Sequence, residues 1–140
     1  MYSAHTAAAV HFATTNDEHS AVETLYATGH WLHSEERWAD AATVFRVMLQ
    51  VAPADERAWL ALGDCHQRID QKYIALELYG AGSVAAAPSV RCQIARFRLL
   101  HDLDRSAEAD EALERATELA FESGDPDLVR LTQRERAVRP

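Results

Sequence analysis

Glycine and proline are scarce in this sequence, with five and four among its 140 residues, and cysteine occurs only twice. Abundant alanine with so few chain-breaking residues favours packed helices and argues against β-sheet. Cys65 and Cys92 each fall within a predicted helix, where a reduced thiol is commonly just a small apolar residue. No apolar run approaches the ~20 residues of a membrane-spanning helix. The composition therefore indicates one helical domain with a modest core.

Positive charge is also in short supply, and the formal net charge is −8. The basic residues are almost all arginine, and acidic residues are interspersed among them. Nucleic-acid binding is disfavoured because it depends on neutralising phosphates with Lys and Arg. The apolar segment at residues 7–10 is too short for a secretory signal, and no basic segment precedes it. We therefore expect a cytoplasmic protein that associates with neither nucleic acid nor membrane.

What the sequence does contain is a period of 34 residues. Gly29 and Gly63 are one period apart, and two further series, one small and one large, follow the same spacing. The series are Ala41, Ala75 and Ala109, and Phe45, Tyr79 and Leu113. A small residue lets two helix backbones approach closely, and a large residue one turn later fills the space beyond. This pattern is typical of tetratricopeptide repeats, in which each repeat is a pair of antiparallel helices.

The period predicts an all-α tetratricopeptide superhelix of three helix-turn-helix repeats, over about 22–55, 56–89 and 90–121. The predicted helix pairs are about 20–34 with 37–51, 55–68 with 71–85, and 89–102 with 105–120. A capping helix should cover about 126–137, because Asp125 can cap it and Pro126 suits its first position. The repeat domain would then be 21–140, preceded by a segment 1–20 that is partly disordered or a short helix.

The chain offers little catalytic chemistry. His30 and His33 are three residues apart on one helical face, but no further ligand follows at metal-binding spacing. Asp64, Cys65 and His66 are adjacent, so on a helix their side chains point in different directions and cannot form a nucleophile–base pair. No glycine-rich phosphate loop or nucleophile elbow is present. We expect no enzyme activity, no bound metal and no cofactor.

A groove is the remaining candidate site. In this repeat type the first helix of each pair lines the concave face, and three triplets of residues should face it. The triplets are Tyr26, His30 and His33; Leu60, Asp64 and Gln67; and Ile94, Arg98 and His101. They could be ordinary surface residues. However, Tyr26, Leu60 and Ile94 recur at the period as bulky apolar residues, and an exposed apolar stripe usually marks an interaction site.

Four segments resemble the class II chaperones of bacterial type III secretion. They are Leu25-Tyr26, Arg37–Phe45, Leu60–Gln67 and Ala75–Tyr79, and the most specific is Leu62-Gly63-Asp64-Cys65-His66-Gln67. The resemblance covers about 22–120. It implies a bacterial cytoplasmic protein whose groove binds an extended segment of secreted translocator proteins. By position it implies pockets formed by Tyr26, Trp38, Leu60 and Tyr79, although Trp38 and Tyr79 also fit core packing.

The resemblance also raises the question of a homodimer, because members of that family dimerise through a leader before the first repeat. About 20 residues precede it here. The alternative function is a generic tetratricopeptide adaptor that bridges protein partners or captures a C-terminal carboxylate. Arg57, Arg91 and Arg98 lie on the first helices and could serve such a clamp, but His30, His33 and Asp64 interrupt them. An accessory subunit of an enzyme is a third alternative.

Overall fold

The computed structural model describes the backbone of residues 4–139 and side chains from residue 16 onward. Seven α-helices, and no strand, occupy this range. They are α1 (Ala4–Ser34), α2 (Trp38–Val51), α3 (Glu56–Arg68), α4 (Lys72–Ala85), α5 (Val90–Asp102), α6 (Ser106–Ser123) and α7 (Pro126–Val138). The closest packing joins α1 with α2, α3 with α4, and α5 with α6. The all-α fold of three helix pairs and a final helix is confirmed.

The 34-residue period extends to the backbone of the turns within each pair. Glu36, Asp70 and Asp104 are spaced by one period, and they have positive φ angles of 61°, 61° and 58°. In each turn, the backbone N–H of the next residue donates a hydrogen bond of 2.8–3.0 Å to a carbonyl oxygen of the preceding helix. A left-handed residue followed by such a bond satisfies the last carbonyls of a helix and reverses the chain. The three repeats therefore share one turn geometry.

The first helices of the second and third pairs, and the final helix α7, begin at side-chain caps. Asp55, Ser89 and Asp125 each accept a hydrogen bond from the backbone N–H two or three residues later. Each cap satisfies a donor that the helix cannot satisfy internally. Asp125 with Pro126 starts α7 as predicted.

The predicted small–large contacts hold the pairs together. A methyl carbon added at Gly29 would lie 2.5 Å from Cε1 of Phe45, and one at Gly63 would overlap the Tyr79 ring even more closely. Gly82 of α4 has the same role within its pair and toward the next pair, because an added methyl carbon would lie 2.6 Å from Cβ of Trp59 on α3 and 2.9 Å from Sγ of Cys92 on α5. These three glycines let neighbouring helices approach to a distance that no larger residue allows.

One helix boundary differs from the prediction. The first helix begins at Ala4 rather than near residue 20, so α1 runs across the predicted limit of the repeat domain. Residues 1–3 of the predicted N-terminal segment lie outside the described residues, and the division of the chain at residue 20 stays a prediction. Gly80 lies within α4, which continues as an α-helix to Ala85.

The last helix covers the third repeat. Leu128, Val129 and Leu131 of α7 pack against the core that α5 and α6 form. Ile94 belongs to that core and is only 2% exposed. The expectation that Ile94 is an exposed apolar residue is therefore wrong, because α7 packs over the core of the third repeat. Among the described helices, none packs in this way over its equivalents Tyr26 and Leu60 in the first two repeats. Both of those residues are partly exposed.

Candidate functional site

The first two repeats enclose an open cavity of about 300 Å³ between α1 and α3, which we call the α1/α3 pocket. Its lining residues come from α1, from α3 and, in one case, from α2. They are Tyr26, His30, His33, Phe45, Arg57, Leu60, Ala61 and Asp64. Most of the accessible lining is apolar, and its ionisable side chains are those of Tyr26, His30, His33, Arg57 and Asp64. A cavity of this size and character can take one or two large apolar side chains.

One end of the pocket is fixed by Arg57. Its guanidinium lies 4.5 Å from the centroid of the Tyr26 ring. It donates hydrogen bonds to both carboxylate oxygens of Asp55 at 2.8 and 3.0 Å, and to both oxygens of Glu23 at 2.8 and 3.3 Å. These hydrogen bonds lower the pKa of the Asp55 and Glu23 carboxyls. Arg57 thus joins α1 to the start of α3 and orients the aromatic wall of the pocket.

The other end is formed by His33 and Asp64. His33 Nε2 lies 2.5 Å from Oδ2 of Asp64, and Arg68 Nε lies 3.5 Å from the same oxygen. Trp38 packs behind this pair, with its ring centroid 4.8 Å from that of His33 and the Arg68 guanidinium 5.3 Å from its own ring. The predicted residue Trp38 therefore supports the pocket through His33 and is not among its lining residues.

The structure brings together five of the ten predicted site residues in the α1/α3 pocket: Tyr26, His30, His33, Leu60 and Asp64. Gln67 lies one helical turn beyond Asp64 on α3. Tyr79 is 3% exposed and packs under Gly63, so it belongs to the core rather than to a ligand-facing wall. Its second predicted role, core packing, is the one that its burial supports.

Arg98 is placed differently from its predicted role in an open groove. Its guanidinium donates to the carboxylate of Glu135 on α7, which also accepts from Arg139. The Glu135 side chain is 8% exposed, and the hydrogen bond from Arg98 lowers the pKa of its carboxyl. α7 therefore bonds to Arg98 and packs against the core that contains Ile94, whereas the residues that line the α1/α3 pocket all come from the first two repeats.

Three lining residues were absent from the sequence-based set: Phe45, Arg57 and Ala61. Phe45 was assigned to packing only, and it does contact Gly29 while one part of it reaches the pocket. Arg57 was considered only for a carboxylate clamp. A signal for it was present, because Glu23 and Arg57 are opposite charges exactly one 34-residue period apart on neighbouring first helices.

The adjacent residues Asp64, Cys65 and His66 point in three directions, as predicted. Asp64 lines the pocket, whereas Cys65 is fully buried, and burial raises the pKa of its thiol to about 11. His66 Nε2 lies 2.9 Å from the Arg46 guanidinium, and its Nδ1 lies 2.6 Å from Oε1 of Gln71. Because arginine only donates, His66 accepts at Nε2 and donates from Nδ1, which makes it a structural link between α2, α3 and the following turn.

The fold of most of this chain is similar to that of several solved structures from type III secretion. The translocator chaperone SycD of Yersinia enterocolitica type III secretion is 26% identical, with a TM-score of 0.74 over 84% of this chain and 86% of SycD. A SycD structure described as an alternative dimer matches with 26% identity and a TM-score of 0.73, over 84% of this chain and 88% of that one. PcrH of Pseudomonas aeruginosa, in complex with the chaperone-binding region of PopD, has 25% identity and a TM-score of 0.73, over 86% and 89% of the two chains.

The resemblance indicated by the sequence is thus confirmed, since these structural neighbours include translocator chaperones with the same helical fold. No protein-family model and no curated protein matches the sequence. Among the helices that the structure describes, none is both long and apolar enough to cross a membrane.

Proposed function

We propose that this protein is a cytoplasmic chaperone of bacterial type III secretion, which binds an extended apolar segment of a translocator protein in the α1/α3 pocket. The observation that carries the proposal is the pocket itself. It leaves Tyr26 and Leu60 partly exposed between the first helices of two repeats, and the small residue Ala61 also lines it. A cavity with a mostly apolar lining suits apolar side chains of an extended chain.

The fold-wide similarity to SycD and PcrH supports a translocator as the partner. Translocators must insert into a host membrane, so they carry apolar segments that would aggregate in the cytosol. Binding such a segment stabilises the soluble form by mass action, and no nucleotide is required. We accordingly propose a binding role without catalysis or a cofactor. A homodimer is part of the proposal, supported by the alternative dimer described for SycD.

The charges along the first helices favour this function over a carboxylate-capturing adaptor. A clamp for a C-terminal carboxylate needs cations that are free to bind it. Arg57 is already bonded to Asp55 and Glu23, and Arg98 to Glu135. Arg91, at the equivalent position of the third repeat, lies 3.5 Å from Glu56. Each of these arginines is engaged by an acidic side chain of the protein.

Co-expression tests the proposal. The protein would be produced with translocator subunits, including PopD, and with soluble control proteins. We expect a translocator to co-purify with it and to remain soluble only when it is present. Capture of folded control proteins with no effect on translocator solubility would instead favour the adaptor function. The Tyr26→Glu, Leu60→Glu variant should lose the translocator in the same assay if the α1/α3 pocket is the site.

A further inference from the structure

The buried Tyr79 makes one polar contact that core packing alone does not require. Its ring lies beneath Gly63 with the side chain almost wholly buried, and its hydroxyl donates a hydrogen bond to Oε1 of Gln67. A carboxamide has an oxygen that only accepts and a nitrogen that only donates. Since Tyr79 engages the oxygen, it also determines which way the NH₂ group of Gln67 points.

That NH₂ group is available to a ligand. Among the hydrogen bonds of the described side chains, none has Gln67 Nε2 as its donor. The Gln67 side chain is partly exposed. In the described part of the chain, every buried side-chain nitrogen or oxygen has a hydrogen-bond partner, so an atom without a partner is not buried. Nε2 must therefore be reached by solvent. It is an oriented donor with an open side, held in place by a buried phenol.

The position of Gln67 relates this donor to the α1/α3 pocket. Leu60, Asp64 and Gln67 are spaced by four and three residues on α3, so they lie along one face of the helix. The first two line the pocket. An extended chain whose apolar side chain occupies the pocket and which continues along α3 toward its C-terminal end passes the Gln67 amide next.

We propose that Gln67 donates a hydrogen bond from Nε2 to a backbone carbonyl of the bound peptide, and that Tyr79 is a positioning residue that holds the Gln67 amide for this contact. The inference rests on the proposed function, and it specifies the chemistry that the site recognises. An extended ligand leaves its backbone carbonyls without intramolecular partners, so each one needs a donor. A carbonyl is present at every residue, so this contact recognises an extended chain irrespective of its side chains.

Three variants test the inference. Tyr79→Phe removes the hydroxyl but keeps the ring under Gly63. Gln67→Glu keeps an oxygen for Tyr79 but replaces the NH₂ donor by a second acceptor. The third variant combines both changes. The probe is a fluorescein-labelled peptide of the PopD chaperone-binding region, and its Kd is measured by fluorescence anisotropy. Urea unfolding of each variant is measured in parallel to separate binding from stability.

We expect Gln67→Glu to weaken binding by about 10-fold or more, because the site loses a donor and places a carboxylate against a carbonyl. Tyr79→Phe should weaken binding by about 3-fold, since the amide is then free to turn. In the double variant the loss should equal that of Gln67→Glu alone, because Tyr79 acts through Gln67. The matched controls, Tyr73→Phe and Gln50→Glu on exposed parts of α4 and α2, should bind as the wild type does.

The outcomes separate the inference from the proposed function. A wild type that binds the peptide while Gln67→Glu binds equally well overturns the inference and leaves the pocket as the site. If Tyr79→Phe lowers affinity by the same factor in the Gln67→Glu background as in the wild type, Tyr79 does not act through Gln67, and its assignment as a positioning residue is wrong. A wild type that does not bind the peptide contradicts the inference, and one that also fails to keep any translocator soluble in the co-expression assay contradicts the proposed function.

Discussion

The Arg57 guanidinium stacks on Tyr26 of the preceding repeat, 4.5 Å from the ring centroid. It also forms ion pairs with two carboxylates, one on each side of the contact between the repeats. Glu23 contributes from α1, and Asp55 contributes from the residue that caps α3. The guanidinium thus fixes the spacing of α1 and α3 at the end of the pocket where Tyr26 forms the wall. This contact links the inter-repeat geometry to the shape of the site.

Replacing Arg57 should therefore affect binding more than stability. In Arg57→Ala the Tyr26 ring loses its neighbour and the two carboxylates repel, so we expect about a 5-fold weaker Kd for the PopD peptide by fluorescence anisotropy. The unfolding free energy should change by less than about 1 kcal/mol, because these ion pairs are partly exposed. Arg91→Ala is the matched control at the same repeat position, outside the pocket. Equal affinity for the two variants would show that Arg57 does not shape the site.

The small residue at position 63 should be essential for packing. An added methyl group meets the buried ring of Tyr79, which cannot move aside, so Gly63→Ala should lower the unfolding free energy by ~1–3 kcal/mol, and Gly63→Leu by more. Gly80→Ala on α4 provides the control, because its nearest neighbour would be Nε of Arg96 at 3.9 Å. That variant should be neutral, or stabilised by up to ~1 kcal/mol through helix propensity. Urea unfolding measures the unfolding free energy of both alanine variants. Equal stability of Gly63→Ala and the wild type would contradict the contact.

The helix boundaries were predictable from sequence because the period places a small residue, a large residue and a turn at fixed offsets. The four helices at 38–51, 56–68, 72–85 and 90–102 agree with the predicted helices within a few residues. The start of α1 was not predictable in this way, because the period begins only near residue 22 and offers no signal before it. The left-handed turns at Glu36, Asp70 and Asp104 also carry no glycine to mark them.

The site was predictable only in part, because periodicity treats each repeat as equivalent. Tyr26 and Leu60 line the pocket as expected, but their equivalent Ile94 is covered by α7. The sequence predicts the existence of α7 and not the face on which it packs. Arg57 shows the converse case. Its partner Glu23 lies one 34-residue period away, so the sequence contained a signal for this contact that an analysis of each repeat by itself misses.

The ion pair between α5 and α7 should make stability depend on acid pH. Arg98 lowers the pKa of Glu135 below the usual 4.5, so ionised Glu135 stabilises the folded state above the unfolded-state pKa. That contribution is lost as the pH falls through the lowered folded-state value. Between about pH 6 and about pH 3, the unfolding free energy should therefore fall more steeply for the wild type than for Glu135→Gln. Glu118→Gln, at an exposed pair with Arg115, should keep the wild-type slope. Identical slopes for the wild type and Glu135→Gln would contradict this assignment.

The central claim is that an apolar ligand segment binds in the α1/α3 pocket, and the anisotropy of the labelled PopD peptide with Tyr26→Glu, Leu60→Glu tests it most directly. Both residues are partly buried, so the variant should remain folded but lose on the order of 1–3 kcal/mol of stability, as judged by circular dichroism and urea unfolding. The matched control Tyr73→Glu, Ile74→Glu places the same two charges on an exposed apolar part of α4. We predict that the control binds the peptide like the wild type and that the pocket variant shows no binding, since losses of ~2 kcal/mol or more are typical for each buried anchor. Undiminished binding by a folded Tyr26→Glu, Leu60→Glu variant would contradict the claim and exclude the pocket as the ligand site.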